Sequence, residues 1–158
     1  MTYNTIKIKK FLDIVEEYEA AAAITPGMLL ELTSAGKVQA HSGAGQNALP
    51  MFALENELEG EGIGDAYAAD DKVQTWIPVR GEMVYAILAD GNNVSIGDYL
   101  ESNGAGYLQK HETDSADVVE YPNAIVAQAL EAVDTSGSSG EESSKELGYA
   151  RRILVRIV

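Results

Sequence analysis

No cysteine occurs among the 158 residues, which excludes disulfide bridges, thiolate metal sites and cysteine nucleophiles. Histidine is almost as scarce: only His41 and His111 are present, in no H-x-x-x-H or H-E-x-x-H spacing that would suit zinc. Long apolar runs are also missing. The longest uncharged stretch with apolar character, AAAAITPGMLL, is broken by Pro26-Gly27 and is too short to cross a bilayer. The N-terminal MTYNTIKIKKFLDIVEEY carries charges where a signal peptide needs an apolar core. A product made in the cytoplasm, without an export signal or membrane span, is therefore expected.

Positive charge is the next deficit, with 11 basic against 25 acidic side chains and a net charge of −14. Such a surface repels phosphate, so nucleic-acid binding over the body of the fold is not expected. The few cations are unevenly placed. Lys7, Lys9 and Lys10 lie at one end of the chain and Arg151, Arg152 and Arg156 at the other. Two readings are open: solvated faces of terminal strands, or a basic contact surface beneath an acidic body.

What the sequence does contain is a repeat. Residues 27–41, GMLLELTSAGKVQAH, and 97–111, GDYLESNGAGYLQKH, match at seven of fifteen positions without a gap. Ile24-Thr25 and Val94-Ser95 extend the match upstream, and ALPMFALE (48–55) pairs with AIVAQALE (124–131). Each copy is followed by a further β-prone run, VQTWIPV (73–79) or RILVRIV (152–158). The alternation around Leu30/Glu31 and Leu100/Glu101 predicts strands with leucine inward and glutamate outward. TSAGK and SNGAGY are predicted hairpin tips, with Gly36 and Gly106 at positive φ. LPMFAL and AIVAQAL, nearly continuous in apolar residues, read as strands buried on both faces.

The expected fold is thus mainly β with little helix: a small β-barrel or β-tulip-like domain with an internal hairpin-plus-strand duplication. The expected organisation is a basic N-terminal arm (1–12) and one β domain (13–158), with pseudo-repeats at about 15–80 and 82–158. IKIKKF alternates as a strand. FLDIVEEYEAAAA fits either a helical stripe or, by matching Tyr18 to Tyr85, the strand before the first unit. NELEGEGIGDAYAADD is an acidic excursion with room for a helical turn. SGSSGEESSKE has linker composition and predicts a mobile loop at about 135–147.

Nothing in the sequence assembles a catalytic constellation, and no catalytic, cofactor-binding or metal residue is assigned. His41 and His111 read as polar strand-end residues. HSGAG is not a G-x-S-x-G elbow, and neighbours on a strand point to opposite faces. GEGIGD lies among acids that would repel phosphate. Asp90-Gly91-Asn92-Asn93 offers oxygens for calcium but reads first as a turn. The aromatic Trp76, in VQTWIPVRG, is either core or an interface anchor; Pro78 within that run suggests a sheet edge. The residues singled out as a partner interface are Lys7, Lys9, Lys10, Phe11, Trp76, Arg80, Arg151, Arg152 and Arg156.

The phrases PGMLLEL, IGDYLESNGAGYLQK and AIVAQALEAVD, in this order, resemble the head decoration, or capsid cement, proteins of tailed bacteriophages. The resemblance covers about residues 13–158. It implies a β domain that binds the outside of the mature shell, with the major capsid protein and further copies of itself, as a trimer, for partners. It further implies a location on the virion capsid surface, no cofactor, and a terminal arm ordered on binding. The alternative is a carbohydrate- or small-molecule-binding β module without catalysis.

Overall fold

Strands form where apolar residues alternate or run together between glycine turns, and among the described residues one single-turn 3-10 helix, Glu57–Glu59, interrupts them. The computed structural model describes residues 3–112, 121–137 and 152–158. Thirteen strands lie within those residues: β1 (Lys7–Lys9), β2 (Val15–Glu19), β3 (Leu30–Leu32), β4 (Val38–Ala40), β5 (Phe52–Ala53), β6 (Lys72–Trp76), β7 (Met83–Ile87), β8 (Asn93–Val94), β9 (Tyr99–Ser102), β10 (Leu108–Lys110), β11 (Ile125–Ala129), β12 (Val133–Asp134) and β13 (Arg152–Ile157). Most of the expected 135–147 loop, together with Arg151, lies outside the described residues.

The duplication seen in the sequence is a duplication of topology. In the first unit β2, β6 and β5 are adjacent in that order, and Leu29 bridges Phe52 to bring the β3–β4 hairpin alongside. In the second, β7, β13, β11, β9 and β10 follow the same order. Equivalent hydrogen bonds recur residue for residue. Gly27 N–H donates to Ala53 O at 2.8 Å and Gly97 N–H to Ala129 O at 2.9 Å. Gln39 Nε2 donates to Glu31 Oε1 at 2.7 Å and Gln109 Nε2 to Glu101 Oε1 at 3.0 Å. Each unit also curls back on itself through one parallel bridge, Ala20 with Val38 and Leu88 with Leu108. A single bridge is not a full ladder, so the units approach barrels without a continuous seam.

Those bridges correct one alignment. They match Ala20 to Leu88, which sets Tyr18 against Ala86 and not against Tyr85. The shared tyrosine misleads because the hydrogen-bond ladder, and not residue identity, sets strand register. The strand reading of the 11–23 segment holds, since β2 lies within it.

Two cores result. The larger gathers Ile6, Phe52, Leu54, Trp76 and the inward residues of β7, β11 and β13. The smaller holds Ala20, Ile24, Leu30, Val38, Met51, Ala53, Tyr67 and Val73. Strand β5 divides them. Its neighbour Met51 and Ala53 pack into the small core while Phe52 and Leu54 pack into the large one, so burial on both faces holds for MFAL, whereas Leu49 at the start of the run is exposed. The units are also bonded to each other: Leu29 N–H donates to Gly106 O at 2.8 Å and Gly106 N–H to His41 O at 3.1 Å.

Candidate partner-binding face

The N-terminal segment is built into the second unit. Ile6 is fully buried, its N–H faces the buried carboxylate of Glu55 at 3.2 Å, and its carbonyl accepts from Tyr85 N–H at 2.9 Å. Strand β1 then pairs antiparallel with β7, placing Lys9 opposite Met83. The alternation of IKIKKF is thus that of an edge strand, with Lys9 and Lys10 exposed and Lys7 half-buried.

After β1 the chain turns outward over Glu82. This carboxylate is only 2% exposed, and it accepts the N–H groups of Phe11, of Leu12 at 2.7 Å and of Val79 at 2.7 Å. Three backbone donors converging on one buried acceptor hold the loop in place. The side chains above it remain in solvent: Phe11 is 88% exposed, and Leu12, Ile14 and Val15 are exposed beside it. A large apolar side chain held open on a clasped backbone needs a partner to gain from burial.

Three cations surround this loop. Arg156 is opposite Met83 on the other side from Lys9, so the two flank Met83 across three adjacent strands. Gly81 N–H donates to Ile157 O at 2.9 Å, which brings the neighbouring Arg80 to the end of β13. All three side chains are exposed, and none forms an ion pair among the described residues. The transverse row continues through Gln128 to Tyr99. Beside it lies a groove of about 720 Å³ lined by Leu49, Pro50, Arg80, Tyr99, Ile125 and Val158.

The remaining candidates divide differently. Lys7 and Lys10 are bound to Asp13, at 2.6 and 2.5 Å. Hydrogen bonds from Lys10 first and Lys7 second hold the Asp13 carboxyl below its ordinary value. Lys7 also lies over the Trp76 ring at 5.9 Å. Trp76 itself is 0% exposed and belongs to the large core, so it is not a surface anchor. Nor does Pro78 mark an edge: β6 lies between β2 and β5, and it ends at Trp76 before the proline is reached. Arg152 is likewise removed from the interface. It is 3% exposed, its Nη2 donates to Ile63 O at 2.6 Å, and its guanidinium lies 5.9 Å from the Tyr85 ring. Lys9, Phe11, Arg80 and Arg156 are thus brought together. Leu12, Ile14, Glu82 and the groove residues other than Arg80 carried no sequence signal, because exposure of an isolated leucine or burial of a turn glutamate has no local pattern.

The histidines are structural. His41, buried where the units meet, has Nδ1 2.9 Å from Ser102 Oγ and Nε2 3.1 Å from Asn47 O. Ser102 is itself fully buried, out of a substrate's reach. His111 Nδ1 meets Glu101 Oε2 at 2.6 Å on the second hairpin. No group of three or more acidic or histidine side chains that could hold a metal occurs among the described residues.

Comparison with known proteins separates sequence from fold. No family model and no curated protein matches the chain. Among solved structures, it is similar to the N base of the head fiber protein gp8.5 of bacteriophage phi29. That match spans 93% of this chain and 95% of the phage one, with a TM-score of 0.53 and 11% identity.

Proposed function

We propose that this chain is a structural, non-enzymatic protein of a bacteriophage virion, attached to the outer surface of the capsid shell. The observation that carries the reading is the fold, shared along nearly its whole length with the base of a phage head fiber. The attachment face is the clasped loop of Phe11 and Leu12 with Lys9, Arg80 and Arg156 around it, and its partner is the major capsid protein. Apolar side chains in the centre with cations at the rim fit a protein surface that offers an apolar pocket edged by carboxylates. Bound copies bridge neighbouring capsomers and stabilise their contacts, with many weak sites adding up over a shell. The strongly acidic remainder keeps unbound copies apart. The protein assembles as a homotrimer, which sedimentation equilibrium would read directly.

The test is addition of the purified protein to expanded capsids of the phage whose genome encodes it. Saturable, stoichiometric binding with a raised capsid melting temperature is expected. Lys9→Glu, Arg80→Glu and Arg156→Glu in one chain, or Phe11→Ser alone, should weaken it. Absence of binding by the unaltered protein would sink the functional reading, whereas normal decoration by both variants would sink only the choice of face.

A further inference from the structure

The duplicated units differ in how their first strands are covered. In the second unit β7 has β13 on one side and β1 on the other. In the first unit the equivalent strand, β2, has β6 on one side, and on the other, among the described residues, only the bridge of Ala20 with Val38 of β4 at its C-terminal end. The phase of the β2 ladder follows from the bonds at its ends: Ile77 N–H donates to Ile14 O at 2.9 Å, and Ala20 N–H to Asp71 O at 2.8 Å. The even-numbered residues therefore bond β6, and the N–H and C=O groups of Val15, Glu17 and Glu19 point outward.

The equivalents of these outward groups are used in the second unit. Tyr85 N–H, matching Glu17, donates to Ile6 O at 2.9 Å, and Ile87 N–H, matching Glu19, donates to Gly27 O at 3.2 Å. Beyond that point the two units agree again, Ala21 N–H donating to Val38 O and Ala89 N–H to Leu108 O, each at 2.8 Å. Among the described residues no strand pairs with the outer edge of β2 from Val15 to Glu17, while the parallel bridge of Ala20 with Val38 takes up the outward side from the Glu19 carbonyl on. Among the described residues the slot is filled in one unit and open from Val15 to Glu17 in the other.

Its side chains select an occupant. β2 reads VEEYE, and neither Glu16 nor Glu17 is ion-paired among the described residues: Glu16 accepts from Tyr18 OH, and Glu17 accepts from Gln74 Nε2 at 2.7 Å. Ile14 and Val15 add exposed apolar surface at the start of the strand. Carboxylates along the edge hold off a second β2, since like charges would face each other. They favour a strand of opposite charge. The strand that fills the equivalent slot, KIK of β1, has that composition.

We propose that the outer edge of β2 is a strand-acceptor site. Its occupant is an extended segment of a different protein chain, in which lysine or arginine alternates with β-branched or aromatic residues. Binding is by strand addition: backbone bonds at Val15, at Glu17 and at the Glu19 N–H supply affinity, and Glu16 and Glu17 supply charge selection. The site adjoins the face around Met83 at Ile14 and Val15 but does not depend on the virion reading.

The probe is a peptide copying residues 4–12, NTIKIKKFL, added to the isotope-labelled full chain and followed by amide NMR and hydrogen exchange. The Val15, Glu17 and Glu19 amides should shift and gain protection, and a copy with glutamate in place of its lysines should not bind. Glu17→Pro removes one outward donor without touching the β2–β6 ladder and should weaken binding about tenfold or more. Should that variant fold poorly, Glu16→Lys with Glu17→Lys should reverse the preference between the two peptides. Unmoved β2 amides at millimolar peptide would overturn the proposal, as would shifts confined to Met83–Ile87, which would mean displacement of β1. Self-association abolished by Glu17→Pro would overturn the choice of a different chain as occupant.

Discussion

Leu12 N–H donates to Glu82 Oε1 at 2.7 Å, joining two residues seventy positions apart. Through this bond a loop that is exposed in its side chains is fixed in its backbone. Glu82→Ala would leave Phe11, Leu12 and Val79 without their shared acceptor, at a cost of about 1–3 kcal/mol. Urea unfolding measures the loss, and amide exchange at Phe11 and Leu12 should accelerate. Glu82→Gln, which retains one acceptor oxygen, should fall between. Unchanged exchange at both amides would mean that the loop is held by something else.

Trp76 gives an equally direct test of which aromatic is core and which is surface. Trp76→Ala should destabilise the fold by about 3–5 kcal/mol, the range for emptying a large buried aromatic site. Phe11→Ser should leave stability within about 0.5 kcal/mol. Tryptophan emission should be blue-shifted and poorly quenched by acrylamide in the native protein, and quenching like that of a free indole would contradict the burial described.

The paired hairpin tips offer a matched experiment. Gly36 and Gly106 have φ of 75° and 78°, so alanine is strained at both, by roughly 1 kcal/mol. Only at Gly106 would the added methyl also meet a neighbour, Ala40 Cβ at 2.8 Å, while nothing lies within 4 Å at Gly36. Gly106→Ala should therefore lower the melting temperature clearly more than Gly36→Ala. Equal effects would show that the units yield where they meet.

Asp13 makes a pH prediction. Its carboxyl is held low chiefly by Lys10 and then Lys7, so its folded value lies below the unfolded one, near 3.8. The contribution of this contact to stability is present above about pH 4 and is lost as the pH falls through the folded value. An NMR titration should place the Asp13 midpoint below 3.8, and Lys7→Met with Lys10→Met should return it to the ordinary value. Asp13 and Lys10 are exposed and Lys7 is half-buried, so the effect on global stability should be small.

Local pattern alone was enough for the strands, the hairpin tips and the duplication, because period-two alternation, glycine turns and repeated glutamate–glutamine–histidine positions are all contained in short segments. It was also enough for the strong segregation of charge to the two ends of the chain. Tertiary structure decided which of those charges reach solvent. Arg152 and Arg156 lie four residues apart on one strand, yet the first is covered by Ile63 and Tyr85 from distant parts of the chain and the second is bare. Trp76 was ambiguous for the same reason, since an aromatic on a β-strand is core or anchor according to what packs over it. The empty edge of β2 is the clearest case. Two similar units were legible in the sequence, but that β7 has a strand along its outer edge, while among the described residues β2 from Val15 to Glu17 has none, follows only from where β1 docks.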